Sequence, residues 1–440
     1  MPELLQRPVR DGGRRDLVPP GRRRRPWWRD DVRVFRAALA IVAVAVLDDA
    51  FVHPESGATA ADHLASGLVP LLCAAALVFA YPRLRPGARA IAAIACGALA
   101  ITAGVTDGFR HVAVDRLAGD DIAVMSGGLA GAVLVLLGAV TLWRSRRLDE
   151  RPLRRYARRA LITLATGLAT VYVLVPAMVA IVATHRAREP VQSADLGRPY
   201  ERVSFTTGDG LRLAGWYVPS RNRAAVIVSP GRQGPVPHAR LLARHGYGVL
   251  LFDRRGEGES EGDFNAYGWG GDADLEAAVG FLAQRDDVDP RRIGGLGLSV
   301  GGEMLLEAAA EDARLQAVVS EGASVRSLAE HWDDPDLAGL RKPFTPLVAQ
   351  TAAVGILANR RPPPGLLGLV GRISPRSLML IRGLDGQPAE VLNRAFLEAA
   401  RPPKELWEVS GAGHTAALSA QPREYERRVL GFFDRALLGR

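Results

Sequence analysis

The chain has 440 residues, too many for one ordinary core, so two or more domains are expected. Its net charge of +9 suggests nucleic acid only until it is divided: residues 1–190 hold 26 Arg and Lys against 16 Asp and Glu, whereas residues 191–440 hold 30 against 31. The basicity belongs to a first half with membrane-like apolar runs, so no nucleic-acid partner is expected, and two cysteines, Cys73 and Cys96, both inside apolar runs, offer neither a disulfide framework nor zinc-ligand spacing.

Residues 1–31 are rich in Arg, Pro and Gly and include RRRRPWWRD, which buries too little apolar surface to fold. They are expected to form a disordered basic tail, with Trp27 and Trp28 at headgroup level. Four uncharged runs follow at 64–82, 90–106, 122–143 and 160–184, of 19, 17, 22 and 25 residues. These fit the roughly 20 residues that cross a ~30 Å hydrocarbon core. A fifth candidate, 32–52, is uncharged only from Ala37 to Leu47, and spans if Arg33 and Arg36 reach the headgroups. An all-α transmembrane bundle over 32–184 is therefore expected. The loop at 83–89 carries Arg83, Arg85 and Arg89, and 144–159 carries eight arginines; 107–121 has Arg110 and Arg116 against four aspartates, and 53–63 has no Arg or Lys. Basic loops face the cytoplasm, which puts the tail inside a cell membrane and everything after residue 184 outside. Further spans follow the basic stretch, so a cleaved signal peptide is not expected. Asp48, Asp49, Asp107, Asp120 and Asp121 read as a solvated rim rather than a transport path.

Residues 185–200 read as a linker and 201–440 as a second domain. ERVSFTTGDGLRLAGWYVP alternates apolar and polar around Asp209-Gly210, the pattern of a tight hairpin. Strand-like runs at 224–229, 247–253, 293–298, 315–320, 377–382 and 405–410 then alternate with helix patterns near 236–245, 271–285, 300–311, 388–400 and 422–437. Such alternation predicts an α/β fold with a largely parallel sheet covered on both faces, and active groups at the carboxyl ends of its strands. The insertion at 322–376 is too long for an ordinary connection and carries an apolar piece, PFTPLVAQTAAVGILANRR. It is expected to cap the active edge, its apolar side chains facing either a greasy acyl substrate or the membrane.

The chemistry centres on IGGLGLSVGG at 293–302, where an apolar strand meets Ser299 between Gly297 and Gly301 and a helix pattern follows. In this G-x-S-x-G context a sharp strand-to-helix turn exposes the serine oxygen at the sheet edge, and the glycines remove clashing Cβ atoms. A serine hydroxyl needs a base within reach and a group to orient that base. Of eight histidines only His414, in SGAGHT after the last strand, lies on a Gly-rich loop at the active edge. For the acid, Asp385 in IRGLDGQ is the first choice and Glu390 the reserve. The oxyanion needs two backbone N–H groups, expected from Val300 at the helix start and from Arg232 in SPGRQG. No second histidine or carboxylate stands at ligand spacing from His414, so neither a metal nor a cofactor is expected.

Several separate motifs, FTTGDGLRLAGWYVP, VLLFDRRGEGESEG, DVDPRRIGGLGLSVGG and GAGH, appear in an order that resembles the α/β-hydrolase superfamily over residues 200–438, most of all its Bem46-like and dienelactone-hydrolase-like branch. The resemblance implies Ser299 as nucleophile, Asp385 as acid and His414 as base, with Asp253, Gly256 and Gly258 shaping the loop after their strand. Such proteins usually carry His-Gly where this chain has Pro230-Gly231; only the neighbouring amide is needed there, so the departure is compatible with activity. The acid loop, GLDGQPAE, also fits the usual pattern loosely. The expected function is a membrane-anchored serine hydrolase that cleaves an ester or other acyl bond of a small-molecule or lipid-like substrate among membrane lipids. Acyl transfer by the same triad and a catalytically silent sensor or binding module are the alternatives.

Overall fold

A computed structural model describes residues 30–53, 57, 59–108, 119–144, 152–185, 195–231, 235–333 and 346–440. The expected basic tail up to residue 29, most of the expected linker and Arg232 lie outside the described residues.

The first half is helical. Helix α1 (Asp31–Leu47) starts at Asp30, whose carboxylate accepts from the Val32 and Arg33 amides and satisfies donors that the first turn leaves open. It runs into a π-helical turn, Asp48–Val52. Then come α2 (Leu64–Ala80), α3 (Pro86–Ala103), α4 (Gly119–Arg144), α5 (Pro152–Ala169) and, after a π-helical turn, α6 (Val175–Thr184). Among the described residues, four helical stretches are long and apolar enough to cross a membrane: Leu64–Arg83, Pro86–Thr106, Met125–Arg144 and Tyr156–Thr184. The 17-residue α1, expected as a fifth span, is not among them.

Small residues set the spacing of the bundle. A Cβ on Gly97 of α3 would lie 2.5 Å from the Gly131 carbonyl of α4, and one on Gly138 would lie 2.7 Å from the Ala90 carbonyl. Close backbone approach of this kind is how apolar helices gain contact where water does not drive them together. At one end Phe35 stacks on Tyr81, with ring centroids 3.7 Å apart, and Arg89 donates to the Tyr81 and Pro82 carbonyls and to Asp31.

The second half is an eight-stranded sheet of β1 (Glu201–Thr206), β2 (Arg212–Val218), β3 (Ala225–Ser229), β4 (Gly248–Phe252), β5 (Ile293–Leu298), β6 (Leu315–Glu321), β7 (Ser377–Gly383) and β8 (Lys404–Val409). Their order is β1-β2-β4-β3-β5-β6-β7-β8; β2 runs antiparallel to its neighbours, and the rest pair in parallel. The β1–β2 turn closes at Thr207, whose amide donates to the Leu211 carbonyl while Gly210 takes φ +90°. Side chains alternate between two cores, as a strand requires. Ala225 and Ile227 face α8 (Gly271–Ala283) and α9 (Val300–Glu311); Val226 and Val228 face α7 (Val236–Arg244) and α14 (Pro422–Phe433).

The expected insertion lies between β6 and β7. Its described part holds α10 (Leu328–Asp333) and α11 (Leu347–Leu357) before β7 and is followed after β7 by α12 (Leu392–Ala399); a short α13 (Ala417–Ala420) precedes α14. Helix α11 does not lie free over the sheet. It packs on α6, where Val354, Ala180 and Trp269 form a small apolar cluster. The Ala266 amide, in the loop after β4, donates to the Ala183 carbonyl of α6, and Gln350 donates to the Tyr267 hydroxyl. The carboxyl edge of the sheet therefore faces the helical bundle.

Candidate active site

The chain leaves β3 for β4 on one side and crosses back to β5 on the other, so the ends of β3 and β5 flank the switch point where such sheets bind ligands. Ser299 sits there with φ 53° and ψ −125°, a conformation that costs an L-residue about 1–3 kcal/mol and persists only if its surroundings hold it. They do. The Ser299 amide donates to the Glu321 carbonyl at 2.7 Å, and the Ser299 carbonyl accepts from Gly302 and Glu303 as α9 begins. A Cβ on Gly301 would stand 2.5 Å from the Ser229 and Pro230 carbonyls, and one on Gly297 would strike the Gly301 backbone. Both glycines are thus required by the turn.

His414 bridges the serine to an acid. Its Nε2 lies 2.9 Å from Ser299 Oγ and its Nδ1 lies 2.7 Å from Glu390 Oε1. The carboxylate that the structure brings to the ring is that of Glu390, the reserve candidate; Asp385, the first choice, is not brought there. Asp385 is exposed in the turn after β7, where its amide donates to the Ala412 carbonyl. The chain turns through Leu384–Gly386 and re-enters as a 3-10 turn, Pro388–Val391, which carries Glu390 back under the histidine. There Glu390 is 1 % exposed, and it also accepts from the Gln387 and Gly383 amides. A buried carboxyl group needs such partners to satisfy its oxygens.

Val300 is the first residue of α9, so its N–H has no carbonyl within the helix to bind and sits at the positive end of the helix dipole. The second expected donor, Arg232, lies outside the described residues. Gly231 is described, and a Cβ there would stand 2.6 Å from the Leu298 carbonyl and 3.2 Å from Ser299 Cβ, so the chain passes directly beside Ser299 at this point.

Two glutamates that sequence reasoning did not single out hold the frame. Glu321, at the end of β6, receives the Ser299 amide on its carbonyl, while its buried carboxylate accepts from the Ala417 amide and the Tyr425 hydroxyl, each at 3.0 Å. Burial and the adjacent Glu321 push the Tyr425 hydroxyl well above its ordinary range, so it remains a donor. One residue thereby ties the Ser299 turn to the segment just after His414. Glu303, four positions beyond Ser299, accepts from the Ser324 amide and hydroxyl and anchors the start of the insertion. Gly322 takes φ +74°, and a Cβ there would stand 3.1 Å from the His414 ring. Asp253, expected to shape the loop after β4, accepts from the Glu259 amide; burial pushes its carboxyl up to about 7, with the charges of Glu257 and Glu259 adding to the rise. In the same loop Gly256 and Gly258 take positive φ.

Against known proteins, residues 173–374 match the X-Pro dipeptidyl-peptidase (S15) family, a span that contains Ser299 and ends before Glu390 and His414. Rv2307c of Mycobacterium tuberculosis (strain H37Rv) is 33 % identical over 241 residues, covering 51 % of this chain and 76 % of that protein. The thiohydrolase aneE of Aspergillus aculeatus is 29 % identical, over 42 % of this chain and 61 % of its own length. The polyketide transferase grgF of Penicillium sp. is 36 % identical over 28 % of this chain and 44 % of its own; the crystal structure of the α/β hydrolase GrgF from Penicillium sp. sh18 aligns with 55 % of this chain and 99 % of that chain at 26 % identity, with a TM-score of 0.46. The chain belongs to the α/β-hydrolase superfamily, in one family with Rv2307c. Its relatives are of the hydrolase and acyl-transfer type.

Proposed function

We propose that the chain is a membrane-anchored serine hydrolase in which Ser299 attacks an acyl carbon, His414 carries the proton and Glu390 orients the imidazole. The single observation behind this reading is the placement of one ring between Ser299 Oγ at 2.9 Å and Glu390 at 2.7 Å. His414 Nε2 takes the hydroxyl proton as Oγ bonds to the acyl carbon. The negative charge that develops on the acyl oxygen is met by the Val300 N–H and by a second amide from the Arg232 loop. His414 then returns the proton to the departing oxygen, sulfur or nitrogen, the acyl–leaving-group bond breaks, and an acyl-enzyme remains. Water repeats the cycle: His414 removes its proton, its oxygen bonds to the acyl carbon, and Ser299 leaves with the proton. In the ground state the imidazole holds its proton on Nδ1, donated to Glu390, which leaves Nε2 free to accept.

The four long apolar helices support anchoring in a membrane, and the arginine-rich loops on one side of them support a cytoplasmic tail with the catalytic domain outside. Acyl transfer is the second reading. A thiohydrolase and a polyketide transferase stand among the relatives, and the same acyl-enzyme delivers its acyl group to an alcohol in place of water. Purified full-length protein with Ser299→Ala is expected to lose roughly five to six orders of magnitude in ester turnover with its fold retained. Full esterase activity in Ser299→Ala would overturn the assignment, and a wild type without turnover or labelling by a fluorophosphonate would favour a silent sensor module. Product exceeding hydrolysis when an acceptor alcohol is added would favour transfer.

A further inference from the structure

The bundle encloses a cavity of about 390 Å³ between α1, α2, α3 and α6, closed on one side by Ala353, Ile356 and Leu357 of α11. That volume falls within the roughly 300–1,000 Å³ of small-molecule sites. Its walls are apolar side chains such as Leu39, Leu77, Leu99 and Ile181, and its carboxyl, hydroxyl and imidazole groups, those of Asp49, Ser66 and His185, come from helix ends. Along α2 it runs from Ser66 to Leu77, about 16 Å at the rise of a helix. It is therefore long and greasy rather than round and wet. It also reaches the outside of the bundle, because Val69 and Cys73 of α2 line it and are themselves exposed. If these helices span a membrane, what lies against that opening is lipid hydrocarbon.

A second cavity, of about 580 Å³, shares a wall residue with the first, His185. Its walls mix apolar side chains such as Val179, Val182 and Phe264 with the polar groups of Thr106, Arg254, Glu257 and Tyr267, so it offers a polar end that the first lacks. Arg254 reaches Met304 of α9, the helix that Ser299 opens, and a Cβ on Gly268 in the same loop would touch both Val300 and Met304. An apolar slot inside the bundle and a mixed chamber with charged groups thus meet at His185, and the chamber's Arg254 contacts the helix that Ser299 opens.

We propose that the slot holds the acyl chain of a membrane lipid, with its polar end in the His185–Arg254 chamber, so that the hydrolase draws its substrate from the bilayer. This rests on the membrane-anchored hydrolase reading and names its substrate class. Helix α11 has one job on each side in this account: Ile356 and Leu357 close the slot, and Val354 docks the insertion on Trp269 beside the active edge.

The test uses the full-length chain in nanodiscs of phosphatidylglycerol and phosphatidylethanolamine. Native mass spectrometry of Ser299→Ala is expected to show one retained lipid; adding Ala103→Phe or Ala177→Phe, which fill the slot, is expected to remove it, whereas Ala75→Phe on the outer face of α2 is expected to leave it. With Ser299 intact, the slot-filling changes are expected to lower the ratio of kcat/KM for p-nitrophenyl palmitate to that for p-nitrophenyl acetate by about tenfold or more. Loss of acetate turnover as well would mark a folding defect, and lipid retention by the smaller Ala103→Leu then decides. Equal retention in all variants, no retention even without the added changes, or an unchanged palmitate-to-acetate ratio overturns the proposal. A wild type that hydrolyses neither ester defeats the catalytic reading alone, since lipid retention by Ser299→Ala is measured without turnover.

Discussion

The two halves of the chain are built from similar amounts of apolar residue and spend them in opposite ways. In the catalytic domain Val226, Ile227, Val228 and Leu250 are fully buried on the two faces of one sheet, and its Arg and Lys nearly balance its Asp and Glu. In the bundle Leu72, Phe79, Leu136, Trp143 and Val173 stand about two-thirds exposed, and the arginines collect in loops. Exposed apolar side chains on this scale mark a surface that needs a partner other than water. Precision is unevenly shared as well: the serine turn is held by backbone hydrogen bonds and forbidden Cβ positions, while the bundle is held by small residues that let apolar helices approach. Positioning reactive groups needs the first kind of order, and packing apolar helices against one another needs only the second.

The contrast can be broken most sharply at the acid. Glu390→Gln keeps the shape but not the charge, and is expected to lower kcat by about 10⁴, whereas Asp385→Asn is expected to change it less than about twofold; steady-state kinetics on one ester separates them. Glu321→Ala is expected to cost about 10² in kcat with KM nearly constant, because it loosens the segment after His414 without touching substrate, and Glu321→Gln, which keeps an acceptor, is expected to recover most of the loss. On the other side of the comparison, Gly97→Val forces α3 from α4 and is expected to destabilise the bundle by about 1–3 kcal/mol, seen as a lower thermal midpoint in detergent, while turnover of a short water-soluble ester is unchanged at low temperature.

The smallest effect concerns pH. Asp253 is raised to about 7 in the folded domain and returns to about 4 when unfolded, so the native state binds the extra proton between those values and stability falls as pH rises through that window. Asp253→Asn is expected to flatten that slope, measurable as thermal midpoints from pH 4 to pH 8.

Much of this order is legible before any coordinates. The six predicted parallel-sheet strands lie within a residue or two of β3 to β8, because each is an apolar run bounded by turn residues. Ser299 and His414 were findable for the same reason: each immediately follows a strand or its turn. The carboxylate that meets His414 was not, because nearness to the end of β7 favours Asp385, and only the path of the chain from Asp385 to Glu390 decides. A signal was present in Gln387-Pro388-Ala389-Glu390, whose Pro and Q-x-x-E spacing match a capped turn that folds Glu390 back onto the Gln387 amide. Glu321 gave no local sign, since its partners are Ser299, Ala417 and Tyr425, distant in the chain. The docking of α11 on α6 was equally hidden; an apolar helix reads the same whether it faces substrate, lipid or another helix.

Labelling of intact cells with a membrane-impermeant fluorophosphonate tests the central claim most directly, because it asks for a reactive serine and for its side of the membrane together. Wild type is expected to be labelled, Ser299→Ala to be blank and Glu390→Gln to label far more slowly. Equal labelling of wild type and Ser299→Ala, or labelling of wild type only after the cells are opened, would contradict it.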